Sequence, residues 1–147
     1  MTPRPYRVAA PPESLDDDPA VTGFMTHRIV AIVPEADLAV ALRTMAERRV
    51  RHLPVLDDAR CVGLVVETDV ARLLAGERPE PGVPPMRVAD VCRQVPAVEP
   101  TASRSAAARS MHTGGIDAVL VVDGERLLGI VTATDLIRSL AAEGGVR

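Results

Sequence analysis

The sequence predicts an α/β (mixed α+β) architecture of two repeated β-α-β-β-α units packed against each other. Three observations carry this. The 147-residue chain repeats itself at a fixed offset. Within each half the apolar pattern changes from helical spacing to two short aliphatic runs and then back to helical spacing. Finally, hydrophobic residues make up 47% of the chain although it has one Phe, one Tyr and no Trp. The core is therefore built from Val, Leu, Ile, Ala and Met, as where small helices cover a sheet.

The repeat appears when the sequence is slid against itself by 66 positions, the separation of Asp69 and Asp135. Arg28 to Leu74 then lies over Gln94 to Leu140 without a gap, and roughly a third of the positions are identical. Matches include Pro34/Pro100, Arg43/Arg109, Met45/Met111, Asp57/Asp123, Gly63/Gly129, Thr68/Thr134 and Asp69/Asp135. Holding Pro, Gly, Asp and Met in register over such a span marks a duplicated unit.

Each unit opens with a short extended piece, Ile29 to Val33 or Val95 to Glu99, that ends at a proline. A helix follows, with Asp37 or Ser103 placed to cap its first turn. Leu38, Leu42 and Met45 recur at helical spacing and form one buried face. The matching face of the second unit is thinner, because Arg104 replaces Leu38.

Two strands come next, Leu53 to Leu56 and Cys61 to Val66, joined by a turn at Asp57-Asp58. Their counterparts are Ala118 to Val122 and Leu127 to Thr132, joined at Asp123-Gly124, a dipeptide favoured in tight hairpins. A second helix starts near Asp69 or Asp135. The units span residues 21–76 and 87–141, separated by a proline-rich linker at 77–86 and flanked by tails at 1–20 and 142–147. The N-terminal tail, proline-rich with the acidic run Asp16-Asp17-Asp18, reads as a flexible solvated segment. One such small sheet cannot bury both faces alone, so the two units should pack together.

A net charge of −3 gives no electrostatic footprint for nucleic acid or an anionic membrane. No apolar run reaches the ~18 residues needed to cross a bilayer, and the start lacks the pattern of a signal peptide. A cytoplasmic location is the resulting expectation. Cys61 and Cys92 are too few for a disulfide framework, lack metal-site spacing, and read as small core residues. No catalytic motif stands out either: His27, His52 and His112 are scattered, Ser105 and Ser110 have no recognisable base, and no phosphate-binding Gly-Lys-Ser/Thr loop exists. The chain is expected not to be an enzyme and to need no catalytic cofactor or metal.

The residues resemble the CBS domain family, named for cystathionine β-synthase, from about Val21 to Leu140. The stretches that carry the resemblance are Pro34-Glu-Ala-Asp-Leu with Met45, Val50-Arg-His-Leu-Pro-Val55, and Gly63-Leu-Val-Val-Glu-Thr-Asp69. In the second unit Gly129-Ile-Val-Thr-Ala-Thr-Asp135 matches the family's glycine, two aliphatics, Thr or Ser, and Asp three residues later. The resemblance implies a pseudo-two-fold pair with two clefts, a homodimer, and regulation of a separate, unidentified partner protein. It also implies an adenosine-type ligand: AMP, ADP, ATP or S-adenosylmethionine.

The site expected from that resemblance centres on Thr132 and Asp135. A carboxylate in the first helical turn can accept hydrogen bonds from both ribose hydroxyls, while Thr132 and the free N–H groups of the helix start suit a phosphate or ribose oxygen. Asp69 is the second candidate, but Val66 stands where its hydroxyl companion should be. Arg51 and His52 fit the place where the family uses basic residues for phosphates, and the spacing does not fix which cleft they face. Ala31 and Ala97 stand where the family often carries Thr, so backbone groups there would read an adenine edge against aliphatics such as Val98 and Ile130. One competent site, at Thr132 and Asp135, is the expectation. The alternative is a ligand-free dimerisation and protein-interaction module.

Overall fold

The computed structural model describes residues 18–76 and 80–144. Most of the expected N-terminal tail, the start of the linker and the end of the C-terminal tail lie outside the described residues. The element order is α1 (Leu38–Arg48), β1 (His52–Asp57), β2 (Arg60–Val66), α2 (Glu67–Gly76), α3 (Val88–Val91), β3 (Ala97–Val98), α4 (Arg104–Gly114), β4 (Ala118–Asp123), β5 (Arg126–Thr132) and α5 (Ala133–Gly144), preceded by a single 3-10 turn at Val21–Gly23.

The helix starts follow the side chains that cap them. Asp37 accepts a hydrogen bond from the Val40 N–H at 2.9 Å, and Ser103 accepts one from the Ala106 N–H at 3.1 Å. Each cap satisfies a backbone donor that the first helical turn leaves without an intrahelical partner, worth about 1 kcal/mol. Asp18 adds a second cap on α4, accepting from the Ser105 N–H at 2.8 Å and from its hydroxyl. The chain is thus docked from Asp18 onward, before the start of the first repeat.

The hairpins β1–β2 and β4–β5 share one register, His52 opposite Val66 and Ala118 opposite Thr132. Their turns put Asp58 at φ 54° and Gly124 at φ 61°, the left-handed conformation a two-residue hairpin demands. The extended pieces before the helices are shorter than expected. Ile29–Val33 contributes one parallel bridge, Ile32 to Val55, and Val95–Glu99 a two-residue strand paired with β4. Prolines at 34 and 100 and the immediate turn into each helix leave no length for more.

The far edge of each hairpin is covered by the lead-in segment of the opposite unit: Arg93 bridges Leu64 on β2, and Thr26 bridges Ile130 on β5. Each half therefore completes the other's sheet.

Three apolar clusters hold the assembly. Leu38, Met45, Leu53, Val55 and Val70 fill the first unit, and Ala107, Met111, Val119 and Val131 fill the second together with Val21 and Met25. A third cluster joins Leu64 and Val66 of the first unit to Ile116, Ala118, Leu120 and Ile130 of the second. Burial of that shared layer makes one module of the two units. Cys61 is free and half-buried at the margin of this layer, Cys92 at that of the first unit's cluster, and burial pushes the Cys61 thiol pKa up.

Candidate functional site

Where β5 runs into α5, Thr132 and Asp135 form a reciprocal cap. The Thr132 N–H donates to Asp135 Oδ2 at 2.9 Å, and the Asp135 N–H donates to the Thr132 hydroxyl at 3.3 Å. The Thr26 hydroxyl, brought in by the bridge to Ile130, reaches both carboxylate oxygens at 3.3 Å. Oδ2 is well occupied by the cap, whereas among the described residues Oδ1 accepts only this long bond. A carboxylate carries about four lone-pair sites, so Oδ1 keeps capacity for another donor. Among the described residues no cation pairs with Asp135.

Asp135 lies on the wall of a cavity of about 370 Å³, a size suited to a small-molecule site. Ile29, Val30, Pro54 and Ile130 supply its apolar surface. Arg28, Arg49, Arg51 and Arg138 also line it, four basic residues against the two acidic ones, Asp117 and Asp135. None of these four arginines is in an ion pair among the described residues. His52 also lines the cavity, with Nε2 2.7 Å from Asp117 Oδ1. Burial raises the Asp117 pKa, but the His52 hydrogen bond and the nearby positive charge outweigh it, and the group sits below the usual carboxylate range.

Thr132, Asp135, Ile130, Arg51 and His52 thus converge on one cleft. Ala97 and Val98 do not. The segment beside β5 is Thr26, not β3, because β3 pairs with β4 on the opposite edge of that hairpin. Val98 packs on the second unit's core, and Ala97 lines a separate hollow with Cys61 and Gln94. The free N–H groups expected at the helix start are also partly consumed: Thr132 donates to Asp135, and Ala133 to the Asp117 carbonyl at 2.9 Å. A phosphate in this cleft would therefore be met by arginine side chains.

Asp69 occupies the equivalent place in the first unit with different partners. Arg93 donates to it from Nε at 2.5 Å and from a terminal nitrogen at 2.7 Å, and Arg72 reaches it at 3.2 Å. The Arg93 hydrogen bond is the main cause holding the Asp69 pKa below the usual range. The adjoining hollow, about 400 Å³, is lined by Val66, Thr68, Arg93, Gly115, Ile116 and Asp117, and not by Asp69. The second carboxylate is thus already engaged by a guanidinium.

Thr26, Arg28, Arg49, Arg93, Asp117 and Arg138 join the picture from the structure alone. Arg138 had a signal, since it is matched by Arg72 in the repeat and lies one turn beyond Asp135. Thr26 and Arg93 fall just outside the gapless overlap.

Comparison with known proteins agrees with this architecture. The family model for the CBS domain matches twice, at residues 21–76 and 88–142. An uncharacterized protein of Methanocaldococcus jannaschii, MJ1225, is 29% identical over 125 residues, covering 84% of this chain and 43% of that protein. The chain thus spans less than half the length of that relative. The CBS domain pair of protein MJ0100, solved with 5′-methylthioadenosine and S-adenosyl-L-methionine, superposes with a TM-score of 0.76 at 21% identity, covering 86% of this chain and 99% of that one. An uncharacterized conserved protein from Pyrococcus horikoshii gives a TM-score of 0.73 at 23% identity, covering 90% and 97%. With two family matches in tandem, an internal repeat in register and a shared inter-unit core, the chain belongs to the CBS domain family and forms a CBS pair.

Proposed function

We propose that this CBS pair is a regulatory module that binds an adenosine-type ligand in the Thr132–Asp135 cleft and signals to a separate partner protein. The observation that carries the reading is the cleft itself, where a carboxylate with no cation on it among the described residues shares one cavity with apolar walls and four arginines. Oδ1 of Asp135 is placed to accept from a ribose hydroxyl, and the aliphatic side chains offer a slot for a purine. Arginine suits phosphate because its planar fork donates two hydrogen bonds at once. A phosphorylated ligand, AMP, ADP or ATP, therefore fits better than S-adenosylmethionine, whose sulfonium is positive. The adenosine compounds bound to the MJ0100 pair support the adenosine part of this reading.

No step of this reading involves catalysis. Binding would bias the relative arrangement of the two units, to the extent that the ligand prefers one arrangement over another. A cytoplasmic homodimer acting on a separate target protein is the proposed setting. Ile137 and Leu140, exposed one helical turn apart on α5, offer an apolar surface for self-association, which also favours the second reading of a ligand-free interaction module. No described helix is long and apolar enough to cross a membrane.

Calorimetric titration of the purified protein with AMP, ADP, ATP and S-adenosylmethionine tests the proposal. Saturable micromolar binding of one of them supports it. Failure of all four to bind the folded protein would overturn it in favour of the interaction module.

A further inference from the structure

We propose that Arg93 is a built-in stopper, a side chain that occupies the carboxylate a ligand would use in the second cleft, and that the residue at this one backbone position decides which cleft is open. For the open cleft the inference rests on the function proposed above.

The two positions are equivalent by backbone pairing. Thr26 exchanges hydrogen bonds with Ile130, N–H to carbonyl at 2.9 Å and the reverse at 3.1 Å. Arg93 exchanges them with Leu64 at 2.8 Å and 2.9 Å, and Leu64 is the repeat counterpart of Ile130. From that shared position each side chain reaches the carboxylate of the neighbouring helix. Thr26 is short and neutral, so it touches Asp135 and leaves the cavity beside it clear. Arg93 is long and charged, so it takes both oxygens of Asp69 in a two-point grip. A ribose diol would have to displace that grip, and a pair of neutral hydroxyl donors is the weaker partner for a carboxylate.

Space is not what closes the second cleft. A hollow already exists there with Arg93 on its wall, and Asp69 is cut off from it. Other differences are also single side chains. Val66 replaces Thr132, and Gly115 and Asp117 stand in the second cleft where Arg49 and Arg51 stand in the open one. An opened second cleft would thus disfavour phosphates and favour a cationic adenosine compound such as S-adenosylmethionine.

The test is a reciprocal exchange in the full chain. Arg93→Thr with Val66→Thr copies the open cleft into the first unit, and should gain one equivalent of S-adenosylmethionine over wild type by calorimetry. Thr26→Arg copies the stopper into the second unit, and should abolish saturable ATP binding. Thr26→Val, which removes the hydroxyl without adding a guanidinium, separates plugging from structural damage and should keep ATP binding within about tenfold of wild type, the scale of one neutral hydrogen bond. Circular dichroism and thermal unfolding confirm that each variant is folded. An unchanged S-adenosylmethionine stoichiometry in the folded double variant would overturn the stopper, as would Thr26→Arg binding ATP like wild type. If instead wild type binds none of the nucleotides while the double variant gains its site, the reading of the Asp135 cleft fails and the stopper stands.

Discussion

Thr26 and Arg93 hold the same backbone position in the two halves of the molecule, each bridged to the second strand of the opposite unit's hairpin, and each donates to that unit's helix-start aspartate. A duplicated fold thus carries two clefts that differ in kind. Beside Thr26 the carboxylate stays open to a cavity; beside Arg93 it is in an ion pair.

The arginines around the open cleft should set ligand charge preference. Arg51→Ala and Arg138→Ala are each expected to weaken ATP binding about tenfold or more, since a hydrogen bond to a charged group contributes about 1.5–3 kcal/mol. S-adenosylmethionine should be affected less, and ATP affinity should fall as salt is raised. Titrations at two ionic strengths check both points.

Asp69 should shape the acid limb of the stability curve. Its folded pKa lies below the unfolded value, so its contribution is fully present above about pH 4 and is lost as pH falls through the folded pKa. Asp69→Asn should cost about 1 kcal/mol at neutral pH, a modest figure because Arg93 is partly exposed. The gap between wild type and variant should then close toward pH 2, as read by urea unfolding at a series of pH values.

Much of this was legible in the sequence. The helices, hairpins and caps follow from Asp37, Ser103, the aliphatic runs and Asp123-Gly124, because local propensity and burial pattern agree there. Thr132, Asp135 and Ile130 were placed by the Gly129-to-Asp135 stretch. The rest depended on contacts between units. Ala97 and Val98 are expected in the cleft because Ala97 stands where the family often carries Thr and Val98 flanks it, but the pattern does not say which lead-in covers which hairpin edge. Thr26 and Arg93 were missed because one unit has an extra residue there: by the 66-residue offset Thr26 aligns with Cys92, and hydrogen bonding aligns it with Arg93. Nor does the sequence reveal that Arg93 lies on Asp69, 24 residues away.

Close packing between lead-in and hairpin makes two glycines sensitive. A methyl group at Gly129 would meet the Thr26 carbonyl oxygen at 2.7 Å and Met25 Sδ at 2.8 Å. Gly129→Ala should push the Thr26 segment off β5, destabilising the protein by about 1–3 kcal/mol and weakening nucleotide binding together. Gly63→Ala meets the Arg93 carbonyl oxygen at 2.9 Å and should destabilise similarly while sparing nucleotide affinity. Thermal unfolding alongside titration separates the two.

The shared core layer should make the pair unfold as one unit. Leu64 is fully buried between the halves. Leu64→Ala is expected to cost about 2–5 kcal/mol by lost burial and residual cavity. Wild type should show one coincident transition by circular dichroism and calorimetry; two separated transitions would mean that the units fold independently.

The central claim, that the Asp135 carboxylate and not that of Asp69 receives the ligand, is tested most directly by titrating Asp135→Ala and Asp69→Ala in parallel with the nucleotide that binds wild type. The account predicts that binding is lost in Asp135→Ala and retained, at the same stoichiometry, in Asp69→Ala. Binding that survives Asp135→Ala, or that is lost with Asp69→Ala in a folded protein, would contradict it.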